Sequence, residues 1–113
     1  MHELSITEDI LRIALEHAGR AGAKRITDIH LVVGELSGVV DDSVQFYMDF
    51  LSPGTLAAGV KLDFRHIHIR LRCRQCGREF EPQGMDWNCP TCQSLGGEIV
   101  TGKEFYVESI EVE

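Results

Sequence analysis

Four cysteines in two Cys-x2-Cys pairs, Cys73/Cys76 and Cys89/Cys92, are the strongest chemical signal in this chain, and they are all the cysteines it has. Each pair sets two sulfurs on one side of a tight knuckle. Two knuckles brought together offer four thiolates at tetrahedral corners, an arrangement that suits Zn²⁺, whose filled d shell imposes no geometry and which binds soft thiolates well. Twelve residues separate the pairs, a spacing that fits one shared ion. Two disulfides are the alternative. No signal peptide is read at the start, so an oxidising compartment is unsupported and the cytoplasm is expected. A redox Cys-x2-Cys would open a helix after a strand, whereas both pairs here are followed by breakers or polar residues. Four protein ligands leave no position for a reactive water, so the zinc would be structural.

The chain opens Met1-His2-Glu3. His2 is too large for the initiator methionine to be trimmed before it, so the expectation is a free α-amine on Met1. That amine, the His2 backbone nitrogen and the His2 imidazole can close fused five- and six-membered chelate rings. The Glu3 backbone nitrogen can complete a plane. Deprotonated amides are strong in-plane donors for Ni²⁺ or Cu²⁺ rather than Zn²⁺. Read without further context, a histidine beside a terminus is more often an ordinary surface residue. His66 and His68 alternate on one strand face with Arg70, an auxiliary metal pair or a solvated stripe. Glu35 sits in a loop and can cap a turn or meet a partner. His17 and His30 read as ordinary helix and strand residues.

Positioning these groups falls to a few elements. Ser5 to Glu8 fits a capping box, and Ile6, Ile10, Ile13 and His17 recur at helical spacing until Gly19 or Gly22. A strand follows through Thr27 to Val33, then the turn Gly34 to Gly38. Asp41 or Asp42 is expected to cap a second helix with Val44, Tyr47, Met48 and Leu51 on its apolar stripe, stopped at Ser52-Pro53-Gly54. A second strand starts near Val60 and slips phase at Arg65-His66, where the chain should leave the main domain. Gly96-Gly97 reads as a second flexible joint, and Phe105 to Val112 as a last strand with a slip near Glu108-Ser109. The expected fold is α+β: two helices on a small three-stranded sheet, residues 1–64 and 98–113, with residues 65–97 inserted as a zinc-ribbon module. About 33 residues is too few for a self-sufficient core, so the metal must hold the insertion together.

The 113 residues carry a formal net charge of −7, unevenly spread. Residues 1–64 and 98–113 are acidic, at −5 and −4, and residues 65–97 are +2. A zinc tetrathiolate adds about −2 and nearly neutralises the basic segment, which argues against nucleic acid. No apolar run approaches the roughly 20 residues that cross a bilayer. No nucleophile–base pair or phosphate-cradling glycine loop is visible, and Pro90 follows Cys89 where a deaminase needs proline before cysteine.

Met-His-Glu at the start, a helix, a strand running into Val33-Gly34-Glu35-Leu36-Ser37-Gly38, a second helix, the two cysteine pairs and the closing Ser109 to Glu113 together resemble the HypA/HybF proteins. These are nickel metallochaperones for hydrogenase maturation and, in some organisms, for urease. The resemblance runs the length of the chain. It implies nickel on Met1, His2 and Glu3 and structural zinc on Cys73, Cys76, Cys89 and Cys92. It also implies delivery to a [NiFe]-hydrogenase large subunit with a HypB-type GTPase, and no enzymatic activity. Two departures stand out. Many relatives have an acidic residue directly after the Gly-Val of the loop, whereas Gly38-Val39 here is followed by Val40, with Asp41 and Asp42 next. No histidine adjoins the cysteine pairs, which favours a pure tetrathiolate. The competing function is a zinc-ribbon adaptor for protein or nucleic acid with an inert N-terminus.

Overall fold

The computed structural model describes residues 3–84 and 86–113. Met1 and His2 therefore lie outside the described residues, as does Met85. The described residues form helix α1 (Glu3–Arg20), strand β1 (Ile26–Gly34), helix α2 (Asp41–Leu51), then β2 (Lys61–Ile67), β3 (Arg70–Arg72), β4 (Glu79–Phe80), β5 (Glu98–Thr101) and β6 (Phe105–Val112). The architecture is α+β, with two three-stranded sheets ordered β2-β1-β6 and β4-β3-β5. The chain divides into two compact units. One holds residues 1–32, 38–65 and 106–113; the other holds residues 33–37 and 66–105. β5 belongs to the second unit because it pairs with β3.

In the first unit, α1 buries Thr7, Ile10, Ala14 and Ala18, a stripe at helical period. Ile6 and Ile13 flank that stripe and His17 is exposed, so the apolar face is turned from the one read in the sequence. Thr7 can lie inside because its hydroxyl donates to the Glu3 carbonyl at 2.5 Å, a back-bond that satisfies the buried polar atom. The helix begins at Glu3, so Ser5 lies within the first turn and does not cap it; the capping-box reading is corrected. Its end is a Schellman motif. Ala23 N–H donates to the Ala18 carbonyl and Gly22 N–H to the Gly19 carbonyl, with Gly22 at φ +66°.

The second helix buries Val44 and Met48 and leaves Phe46 and Phe50 in solvent. Its N-cap is Val40, in extended conformation, with no side-chain cap. Asp41 and Asp42 stand one and two places inside, where their carboxylates favour the helix dipole. The expected aspartate cap is thus overturned. Ile26, Ile29, Leu31, Val32, Val60 and Leu62 complete the buried core of this unit.

His30 braces the sheet. From the central strand β1 it reaches Asp63 on β2 (Nδ1 to Oδ2, 2.8 Å) and Glu111 on β6 (Nε2 to Oε2, 3.1 Å). Arg65 on β2 meets Glu108 on β6 at 2.7 Å. Val107, Glu108, Ser109 and Ile110 line a cavity with Ile13, Ala14 and His17 of α1.

In the second unit, β3 pairs antiparallel with both β4 and β5. The compact units divide between Arg65 and His66, while β2 itself runs on to Ile67 and β3 begins in the other sheet at Arg70. Gly97, read as a joint, is a close backbone approach: a Cβ there would sit 2.3 Å from the Arg72 carbonyl oxygen. The sequence did not reveal β4 or β5.

The acid pair on His30 predicts a pH dependence. Hydrogen bonds from Asp63 and then Glu111 hold its pKa above the ordinary 6.5, against a smaller opposing effect of burial. Doubly protonated imidazole donates to both carboxylates, and the neutral ring to only one. The stabilisation is present in full below the unfolded value of 6.5 and is lost as pH rises through the higher folded value. Thermal melts of the wild type should therefore fall relative to those of His30→Asn as pH is raised across that window. Parallel curves for the two proteins would remove the brace.

Candidate metal centre

The two cysteine knuckles are built alike. In the first, Cys73 N–H donates to the Arg78 carbonyl at 2.8 Å and Gly77 N–H donates back to the Cys73 carbonyl at 3.0 Å. In the second, Cys89 N–H donates to the Ser94 carbonyl at 2.8 Å and Gln93 N–H to the Cys89 carbonyl at 2.9 Å. Both knuckles need a left-handed residue directly after the second cysteine: Gly77 at φ +77° and Gln93 at φ +67°. Gln93 is the non-glycine residue held there, at a backbone cost that glycine would avoid.

This geometry draws the four sulfurs together. Their Sγ atoms all lie within 4.8 Å of one another, with Cys73 to Cys92 at 3.4 Å and Cys76 to Cys89 at 3.6 Å. All four are free thiols. A tetrahedral zinc with bonds of about 2.3 Å has edges of about 3.8 Å, so the set fits the ion. Cys73 and Cys89 are buried, and Cys76 and Cys92 face solvent. The Gln75 amide points at the Cys73 sulfur at 3.4 Å, the kind of outer hydrogen bond that orients a ligand thiolate.

The unit's small core is inseparable from the cluster. Leu71, Phe80, Cys73 and Cys89 form it, with Ile69 and Trp87 packed against them. Leu95, read as one of the few apolar residues of the segment, is 81% exposed and adds little. The electrostatics of the bare thiols are uneven. The Ser94 hydroxyl and amide, then Cys73, pull the Cys92 thiol down to about 6. Cys89 is lowered, first by the Cys92 amide. At Cys76 the Arg78 amide lowers the pKa, but burial and the three neighbouring sulfurs outweigh it and push the thiol up to about 11. Four thiolates this close repel one another, and a bound dication removes that repulsion while filling its own shell. Such a centre organises chain; it offers no site for a substrate.

The other sequence candidates do not join this cluster. Glu3 is buried in the first turn of α1, 6% exposed, its carbonyl held by Thr7. His66 is exposed on β2. His68 stands past the strand end and meets Glu35 at 3.0 Å. Asp41 and Asp42 occupy the start of α2. Ser94, Gln93 and the Glu35–His68 contact were not identified from sequence. The one available signal was the matching place of Gly77 and Gln93 after each pair.

Three kinds of comparison agree. The family described as "Hydrogenase/urease nickel incorporation, metallochaperone, hypA" matches residues 1–112. A hydrogenase maturation factor HypA of Dehalococcoides mccartyi (strain ATCC BAA-2266 / KCTC 15142 / 195) is 46% identical over 113 residues, covering 100% of this chain and 95% of that protein. Another from Caldanaerobacter subterraneus subsp. tengcongensis is 42% identical over 114 residues, covering 100% of both. The solution structure of the Ni metallochaperone HypA from Helicobacter pylori aligns at a TM-score of 0.66 with 25% identity, covering 99% of this chain and 97% of that one.

Two outcomes follow for the cluster. Cys73→Ser should disorder residues near 73–92, seen as collapsed amide dispersion there, while the signals of α1 and α2 persist; global unfolding would contradict two separately stabilised units. Gln93→Gly should raise the stability of the second unit by about 1 kcal/mol, read from amide exchange in the zinc-loaded protein, because it removes the left-handed strain. A loss of stability would mean that the Gln93 side chain matters more than its backbone.

Proposed function

The chain belongs to the HypA family of nickel metallochaperones and hydrogenase maturation factors, and from that premise we propose that it binds Ni(II) through Met1, His2 and Glu3 and delivers it to a [NiFe]-hydrogenase. Members of this family are maturation factors, not catalytic enzymes. The observation that carries the reading is the family match over residues 1–112, which spans both the N-terminal tripeptide and the four-cysteine cluster. Zinc on Cys73, Cys76, Cys89 and Cys92 is the structural ion, and nickel is the cargo. Separating the two is a matter of donor chemistry. Four soft thiolates suit tetrahedral zinc, whereas amine, amide and imidazole nitrogens suit planar Ni²⁺. The structure is compatible with Glu3 acting through its backbone nitrogen, since that amide lies in the first turn of α1, where amides lack intrahelical acceptors.

A HypB-type GTPase and the hydrogenase large subunit are the proposed partners, with urease a further client. Among the described residues no helix is long and apolar enough to cross a membrane; the proposed compartment is the cytoplasm. A nucleic-acid adaptor gains no support: Arg65 is paired with Glu108, and Arg70 and Arg72 both face Glu79.

The nickel site depends on an amine at one position. Acetylating the Met1 amine removes that donor and should weaken nickel binding strongly, as should His2→Ala, with zinc content and folding unchanged. Glu3→Gln should have little effect on affinity, because its role at the metal is through the backbone. Calorimetry on the three proteins decides: unchanged affinity in the acetylated protein overturns the amine's role, and unchanged affinity in His2→Ala moves the site elsewhere. Nickel should also leave before zinc on mild acidification, because the imidazole and amine take up protons near pH 6. Zinc leaving first, followed by metal analysis across the titration, would reverse that order.

A further inference from the structure

We propose that Glu35 and His68 form a second, weaker divalent-metal site within the second unit, distinct from both the four sulfurs and the N-terminal tripeptide. Glu35 Oε1 and His68 Nδ1 are 3.0 Å apart. Two cis ligands bonded at about 2.0–2.1 Å and subtending a right angle are separated by about 2.9 Å, so the pair already stands at the spacing a metal would impose. The metal takes the place of the proton now shared between the two atoms.

The backbone behind each ligand is fixed. The Glu35 amide donates to the Ile67 carbonyl at 3.0 Å, and the His68 carbonyl accepts the Thr101 hydroxyl at 2.8 Å. Ile69 N–H donates to the same Glu35 oxygen at 2.8 Å, an outer hydrogen bond of the kind that orients ligating carboxylates. That bond first, and His68 second, lower the Glu35 pKa and so favour its ionised carboxylate. Both side chains open onto a cavity of about 200 Å³ that is also lined by Glu81, Pro82 and Gly84. Glu81 brings a second carboxylate to the rim, and the cavity has room for the waters that complete a shell.

An imidazole with carboxylates and water suits a borderline ion such as Ni²⁺ or Zn²⁺ in a hydrated, higher-coordinate state. Among the described residues only the cysteines bring three or more donors within 4.8 Å of one another, so the Glu35–His68 pair needs Glu81 or water to finish its shell and binds less tightly. An exposed ion pair of this kind contributes little to folding, with His68 76% exposed, so stability does not account for the arrangement. The choice of nickel as the physiological ion rests on the nickel-carrier reading; the site itself does not.

The test uses the zinc-loaded full chain with its Met1 amine acetylated and carrying His2→Ala, titrated with Ni²⁺ alone. Calorimetry should show one residual, weak nickel equivalent, and NMR should show broadening centred on His68 and Ile69. His68→Ala and Glu35→Gln should each weaken that equivalent by about tenfold or more, with zinc content unchanged. Glu35→Gln retains an oxygen for the Ile69 amide, so the corner keeps its backbone bond. The proposal is overturned if the acetylated His2→Ala protein binds no nickel, if neither substitution alters the residual binding, or if nickel enters only by displacing zinc. A failure of the N-terminal site reads out separately: the unaltered protein would then bind nickel no more tightly than the acetylated His2→Ala protein, with the Glu35–His68 response intact.

Discussion

Everything in the second unit depends on the closeness of four sulfurs. Two of the four residues in its buried core are themselves cysteines, Cys73 and Cys89. Its strands are short, β4 being two residues and β3 three. Apolar burial on that scale cannot offset the entropy of ordering such a segment. Zinc bound by four thiolates supplies on the order of 10 kcal/mol, enough to reverse the balance. The knuckle hydrogen bonds, the left-handed Gly77 and Gln93, and the packing of Leu71 and Phe80 then serve to present sulfur at the right spacing. The proposed zinc is part of the fold in the sense that the core is for the other unit.

The first unit is held by different physics. Its helices and sheet bury Ile10, Ile26, Ile29, Leu31, Val44 and Met48 in ordinary apolar contact. Charged pairs across the sheet, His30 with Asp63 and Glu111 and Arg65 with Glu108, are exposed and tune that stability without creating it. A carrier of the proposed kind, which keeps one ion and gives up another, benefits from this separation. The proposed zinc is held by soft sulfurs closed on all four sides. The proposed cargo sits on nitrogen donors whose protons compete with it, so binding is reversible under mild change. Borderline ligands such as Glu35 and His68 fall between these extremes.

The parts of the molecule that could be read from sequence share one property: their information is local. Two Cys-x2-Cys pairs announced the cluster, and periodicity announced both helices and the three strands of the first sheet. The errors arose where a local rule met a tertiary alternative. Ser5 and Glu8 satisfy a capping box, yet the helix starts at Glu3, with Thr7 back-bonded into it. Asp41 and Asp42 look like caps, yet extended Val40 takes that place. What was missed is non-local. β4 and β5 are defined by pairing with β3 rather than by pattern, and Glu35 meets His68 across 33 positions.

The central claim is that one zinc ion, held by sulfur alone, organises the second unit. X-ray absorption at the zinc edge on the intact protein addresses it directly. The account predicts a single shell of four sulfurs at about 2.3 Å. A shell containing nitrogen or oxygen in place of any sulfur would contradict it, since one of the four cysteines would then be free and the knuckles would have been shaped by something other than the ion.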